Sequence, residues 1–224
     1  MSSIADIFSP DTKFYRFFEL LWELLALNIL FILTSLPVIT IGISATALCQ
    51  SVQAMLKDEK PLGVYFSVWK TDWKQSTAIW IPLLALLAAI VTYYHLFVFT
   101  PEKPSFGVLL VILALTVAYL AVVAWLFPLM AQFNNTTANH VKNAAVLACA
   151  HPLKSLMMVG LMVIPLLVVL ISPYWFFRLG FIWICAGASG ICYLHQRIIH
   201  PVMKKMIKKA RAEAGLEEIE DEEE

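Results

Sequence analysis

The sequence predicts an all-α, polytopic membrane helix bundle of about six spans in three hairpins, with short cytoplasmic interfacial helices. Three observations carry this reading. Hydrophobic residues make up 60% of the chain and charged residues 14%, with a mean hydropathy of +0.77, outside the range of soluble domains. Formal charges are absent from 24–56, 75–101, 104–141, 155–177 and 179–196, and a membrane-crossing helix needs roughly 20 mostly apolar residues. Finally, the basic residues fall on one side once the chain reverses at Leu36-Pro37.

That reversal is argued from chemistry and charge together. Pro37 lacks a backbone donor and disfavours helix in Leu36 before it. With the turn there, the spans fall at about 16–36, 38–56, 77–99, 105–131, 153–172 and 178–199. All 16 basic residues except Lys103 and Arg178 then share one side, the asymmetry of cytoplasmic loops. Both termini are expected there. A single span over 16–56 would make both sides basic. The second span carries Thr40, Ser44, Thr46, Gln50, Ser51 and Gln53, which face other helices when inside a bilayer. It is expected in the bundle interior, either crossing fully or re-entering.

Ser9-Pro10-Asp11 has the order of an N-cap with Pro at the first helical position. The first span follows no signal-peptide pattern and is expected to be retained. Outer connections are short: near Pro37, at 100–105 and at 172–178. Inner connections are longer. Phe66, Trp69 and Trp73, spaced by three and four beside Lys70 and Lys74, predict a helix lying in the interface. Val141, Ala144, Ala145 and Ala148 form a similar stripe within 134–155. Residues 1–200 read as a single transmembrane domain and 201–224 as a cytoplasmic tail, basic and then acidic, partly disordered. Its first lysines suit anionic lipid headgroups.

Candidate functional residues are few. Glu19 and Glu23 lie four apart in the first span, as a cation or proton site would require, or as acidic residues at a helix start that complement its dipole. The second reading is preferred. Asn28 and Gln50 are intramembrane polar residues whose amides need internal partners, and packing between helices explains them better than a ligand. Phe66, Trp69, Trp73, Lys74, His151 and Lys154 are expected to face a protein partner. The five histidines lack metal-site spacing on one helix, and Cys49, Cys149, Cys185 and Cys192 show no CxxC pair, so neither zinc nor disulfides are expected. Pro82, Pro128, Pro165 and the small-residue run 186–190 are read as packing devices. Phosphate-loop, nucleophile-elbow, HExxH and dinucleotide motifs are missing. The chain is expected to be no enzyme, to carry no cofactor and to bind no nucleic acid.

The stretch FFELLWELLALNILFILTSLPVITIGISATAL (17–48), with Asn28, Leu36-Pro37 and Thr40-Ile41-Gly42, resembles the opening of the YesL-like family of bacterial membrane proteins, a domain of unknown function. FSVWKTDWKQS (66–76) and LFPLMAQFNNT (126–136) are similar to that family too, and Ile43 stands where it commonly has Pro. The resemblance extends to about residue 200. It implies a bacterial cytoplasmic membrane and genes beside carbohydrate ABC importers, and supplies no catalytic residue. The expected role is an accessory subunit for assembly, stability or regulation of such an importer, contacting its subunits and membrane lipids. An autonomous carrier or channel for a small neutral solute is the alternative, and a scaffold or sensor the third.

Overall fold

The computed structural model describes residues 12–99, 105–178 and 180–213. The Ser9-Pro10-Asp11 cap and the acidic run at 217–224 lie outside the described residues. Among the described residues the first helix opens at Thr12, whose hydroxyl accepts the backbone N–H of Tyr15 at 3.3 Å. In order follow α1 (Lys13–Thr34), a 3-10 turn (Val38–Thr40), α2 (Ile41–Met55), α3 (Pro61–Thr71), α4 (Trp73–Phe99), α5 (Phe106–Gln132), α6 (Thr137–Ala150), α7 (Pro152–Ile171), α8 (Pro173–Arg178) and α9 (Gly180–Glu213). The protein is an all-α bundle with several helices long and apolar enough to span a bilayer.

The chain does reverse at Pro37. Backbone groups freed by the turn are satisfied by side chains around it. The Thr40 hydroxyl is shared between the carbonyls of Thr34 and Pro37, both at 2.6 Å. The Trp80 indole N–H donates to Val38 O at 2.8 Å, and the Ser44 hydroxyl reaches Thr40 O at 2.9 Å. At the tip, Leu36, Val38 and Ile39 are exposed by 73%, 53% and 58%, so the turn presents apolar side chains while its carbonyls are paired inward.

α2 is the most enclosed of the long helices: 61% of its most apolar stretch is buried, against 17% for the other four candidate spans. Its hydroxyls account for this place. Ser44 lies 3.0 Å from the Thr34 hydroxyl, which also bonds Tyr65 at 2.6 Å, and Ser76 donates to Thr46 at 3.1 Å. The helix closes in a Schellman motif, Glu59 N–H to Ala54 O and Asp58 N–H to Met55 O, with Asp58 left-handed at φ 57°. α3 starts at Pro61, a proline at the first helical position.

Two expectations change in detail. The stripe Phe66–Trp69–Trp73 is not continuous: α3 ends at Thr71, Asp72 breaks the helix at φ −107° and ψ 4°, and Trp73 begins α4. Five helices, Phe14–Thr34, Val38–Met55, Trp73–Phe97, Phe106–Gln132 and Pro152–Ile171, meet the length and apolarity of a membrane span. The sixth expected span, 178–199, falls across α8 and the start of α9. Its stretch without charged, histidine or amide side chains is 179–194, because Arg178 precedes it and His195, Gln196 and Arg197 follow. The boundary expected at residue 200 falls inside α9, where Val202 and Met203 are buried.

The core lies at one end of the bundle. Buried residues cluster in the first turns of α4 (Ile79, Trp80), the second half of α5 (Tyr119 to Met130), the start of α7 (Met158, Val159) and the middle of α9 (Cys192, Ile199, Met203). Segments 81–97, 106–118, 160–171 and 180–186 hold no buried residue. Tyr94 and Thr116, 3.2 Å apart, link two of those segments.

The contact of α2 with α4 depends on Gly42. A methyl group there would fall on Trp80 Cβ and within 2.9 Å of Ser76 O, which is backbone and cannot step aside. Gly42→Ala is therefore expected to destabilise the protein by about 1–3 kcal/mol. Thermal unfolding in mild detergent checks this, with Gly63→Ala, where nothing lies within 4 Å, as the near-neutral comparison.

Candidate functional site

Asn28 is fully buried and makes four side-chain hydrogen bonds to backbone. α9 loses helical geometry at Ala186 (φ −151°, ψ 21°), which leaves carbonyls before the break and N–H groups after it without intrahelical partners. The Asn28 amide meets both. Its nitrogen donates to Trp183 O at 2.9 Å and Ile184 O at 2.7 Å, and its oxygen accepts from the N–H of Ala188 at 2.8 Å and of Ser189 at 3.2 Å. Ser189 adds a bond from its hydroxyl to Leu24 O at 2.8 Å. The amide is thus spent on backbone, with all four of its bonding directions used.

A second polar layer joins α2, α5 and α9. Gln53 reaches Pro128 O and the Gln196 side-chain oxygen, each at 3.4 Å, and Gln196 donates to Cys49 O at 3.4 Å. The thiols of Cys49 and Cys192 lie 3.5 Å apart, both buried and unbridged. His195 Nε2 lies 3.0 Å from Met158 O, so that nitrogen carries the proton and donates. Gln50 does not join this layer: it donates to Asp72 Oδ2 at 3.1 Å and fixes α2 to the α3–α4 junction.

Glu19 is exposed and Glu23 half-buried on α1. No cluster of three His, Cys, Asp or Glu side chains able to hold a metal ion is present among the described residues.

The residues expected to face a partner separate into two patches. Phe66 and Trp73 are exposed by 53% and 50%, Trp69 is half-buried against the core, and Lys74 sits 5.8 Å from the Trp73 ring. Gln75 donates to Asn135 O at 2.6 Å, placing this patch beside the start of α6. His151 and Lys154 stand at the other end of α6, about 21 Å away along a 14-residue helix. There the His151 ring stacks on Trp125 (5.9 Å, 29°). Trp125 donates to Ser155 Oγ at 2.9 Å, and the Ser155 hydroxyl reaches Ala148 O and His151 O at 3.0 Å. Between the patches, His140 is buried, and burial pushes its imidazole below the usual histidine range.

Sequence reasoning did not single out Ser189 as a partner of α1, or Lys205 and Lys209 as neighbours of Lys154. The one was hidden in a run of small residues; the others carried a signal in their spacing of four, which puts both on one helix face.

Replacing Asn28 by Leu removes the bonds across the α9 break and leaves up to four backbone groups unpaired. The expected loss is about 2–4 kcal/mol. It is checked by detergent unfolding and by hydrogen exchange at 183–189, which should accelerate selectively.

No curated protein and no solved structure matches the chain. Residues 24–94, from the end of the first acidic pair through most of α4, match the family described as Protein of unknown function, DUF624.

Proposed function

We infer that the protein is a multi-pass protein of a bacterial cytoplasmic membrane, both termini cytoplasmic, acting as an accessory subunit of a carbohydrate ABC importer. The observation that carries the accessory role is the exposed pair Phe66 and Trp73 with Lys74, set on the lysine-rich side. Exposed aromatic side chains are enriched among the residues that anchor protein contacts. The carbohydrate importer itself comes from the family resemblance. Arg178, 5.7 Å and 5.8 Å from the rings of Tyr174 and Trp175, supports placing α8 in the opposite interface. The apolar segments that hold no buried residue supply the lipid-facing surface. In this layout the Pro37 turn lies in hydrocarbon, which suits its exposed apolar tip and inward-paired carbonyls.

A carrier would be favoured by the break in α9, since interrupted helices form substrate sites in many transporters. Against it stands Asn28, whose bonding capacity is already taken by the ends of that break.

Purification from native membranes in mild detergent should bring down importer subunits with the wild-type chain. Phe66→Ala/Trp73→Ala should reduce that recovery at least about tenfold while leaving the elution profile of the protein unchanged. Recovery of the chain alone, together with unaltered sugar uptake after its deletion, removes the accessory role. Accessibility labelling that puts cysteines introduced at 60 and 142 in different compartments removes the layout.

A further inference from the structure

The end of α6, the first turn of α7 and residues 201–209 of α9 enclose a cleft of about 300 Å³. Lys154, Lys205 and Lys209 line it with His151, and no acidic side chain is among its lining residues. Lys154 and Lys205 bring two cations to the rim of this hollow, and an anion between them is attracted to both. The floor is different in kind: Leu147, Val202 and Met206 are apolar, a poor match for a small hydrated anion.

An apolar track leads away from this cationic mouth. On α9, Leu194, Ile198, Pro201 and Lys205 follow one another at spacings of four, three and four, one face of a helix, and Leu194 is 46% exposed. On α7, Met157 lies one turn beyond Lys154 and is 53% exposed. The two helices are pinned beside Leu194 and Met157 by the His195–Met158 hydrogen bond. The cleft also sits where the α7 span begins, at the depth of lipid headgroups in the layout above.

We propose that this cleft binds an anionic phospholipid, with its phosphate between Lys154 and Lys205 and an acyl chain laid along the α7–α9 groove. Charge complementarity selects the head, and the apolar floor selects an amphiphile over free phosphate. The site is independent of the importer reading, since it requires only the chain and a bilayer.

The test uses full-length protein in mild detergent, stripped of lipid and titrated with phosphatidylglycerol, phosphatidylcholine or inorganic phosphate, with bound species read by native mass spectrometry. Phosphatidylglycerol should bind in preference to phosphatidylcholine, and a tenfold excess of inorganic phosphate should not displace it. Lys154→Ala/Lys205→Ala should weaken binding about 25-fold. Lys154→Arg/Lys205→Arg should restore it, and Lys70→Ala/Lys142→Ala, outside the cleft, should bind as the wild type does. Equal affinity in the cleft double variant and the wild type overturns the site. Equal binding of phosphatidylcholine overturns its charge selectivity, and displacement by inorganic phosphate reassigns the cleft to a soluble anion and overturns the lipid.

Discussion

The hydrogen bonds from Asn28 to the interrupted turn of α9 are the constraint around which the bundle is arranged. A helix can break in a medium without water only if something else satisfies its freed carbonyls and N–H groups. One amide, presented by α1, does so from both directions. Its position fixes the register of α1 on α9, and Ser189 repeats the tie one turn away at Leu24. α2 is then held against α9 by Cys49, Gln53 and Gln196, and α4 is held against α2 through Gly42 and Ser76. The order of packing follows from backbone accounting as much as from apolar burial.

The same accounting explains how a sharp turn can present Leu36, Val38 and Ile39 outward. Thr40, Ser44 and Trp80 take up its carbonyls from the protein side, so the surface left over is hydrocarbon-like. A water-facing turn would have no need of that arrangement. The hydroxyls that make the second span polar in sequence are therefore the means by which it stays inside.

The helix content, the reversal at Pro37 and the enclosed place of α2 were legible because each follows from local chemistry: uncharged length, a missing backbone donor, hydroxyls unsuited to lipid. The need of Asn28 for an internal partner was legible too, but its partner was not. Trp183, Ile184, Ala188 and Ser189 meet it through backbone atoms, which leave no trace in side-chain identity. The break at Asp72 was missed because an aromatic spacing of three and four reads as one helix. The sixth expected span straddles α8 and α9 and takes in His195, Gln196 and Arg197. The lysine cleft could be half seen: Lys205 and Lys209 share a face by spacing, whereas their approach to Lys154 depends on how α7 meets α9.

Because the interlocked core occupies one end of the helices and leaves 81–97, 106–118, 160–171 and 180–186 without burial, rigidity is graded along the long axis. The far ends are held by the Tyr94–Thr116 hydrogen bond and by partly buried side chains such as Leu87 and Ile90, so a load placed on them meets less resistance than one placed on the interlocked end.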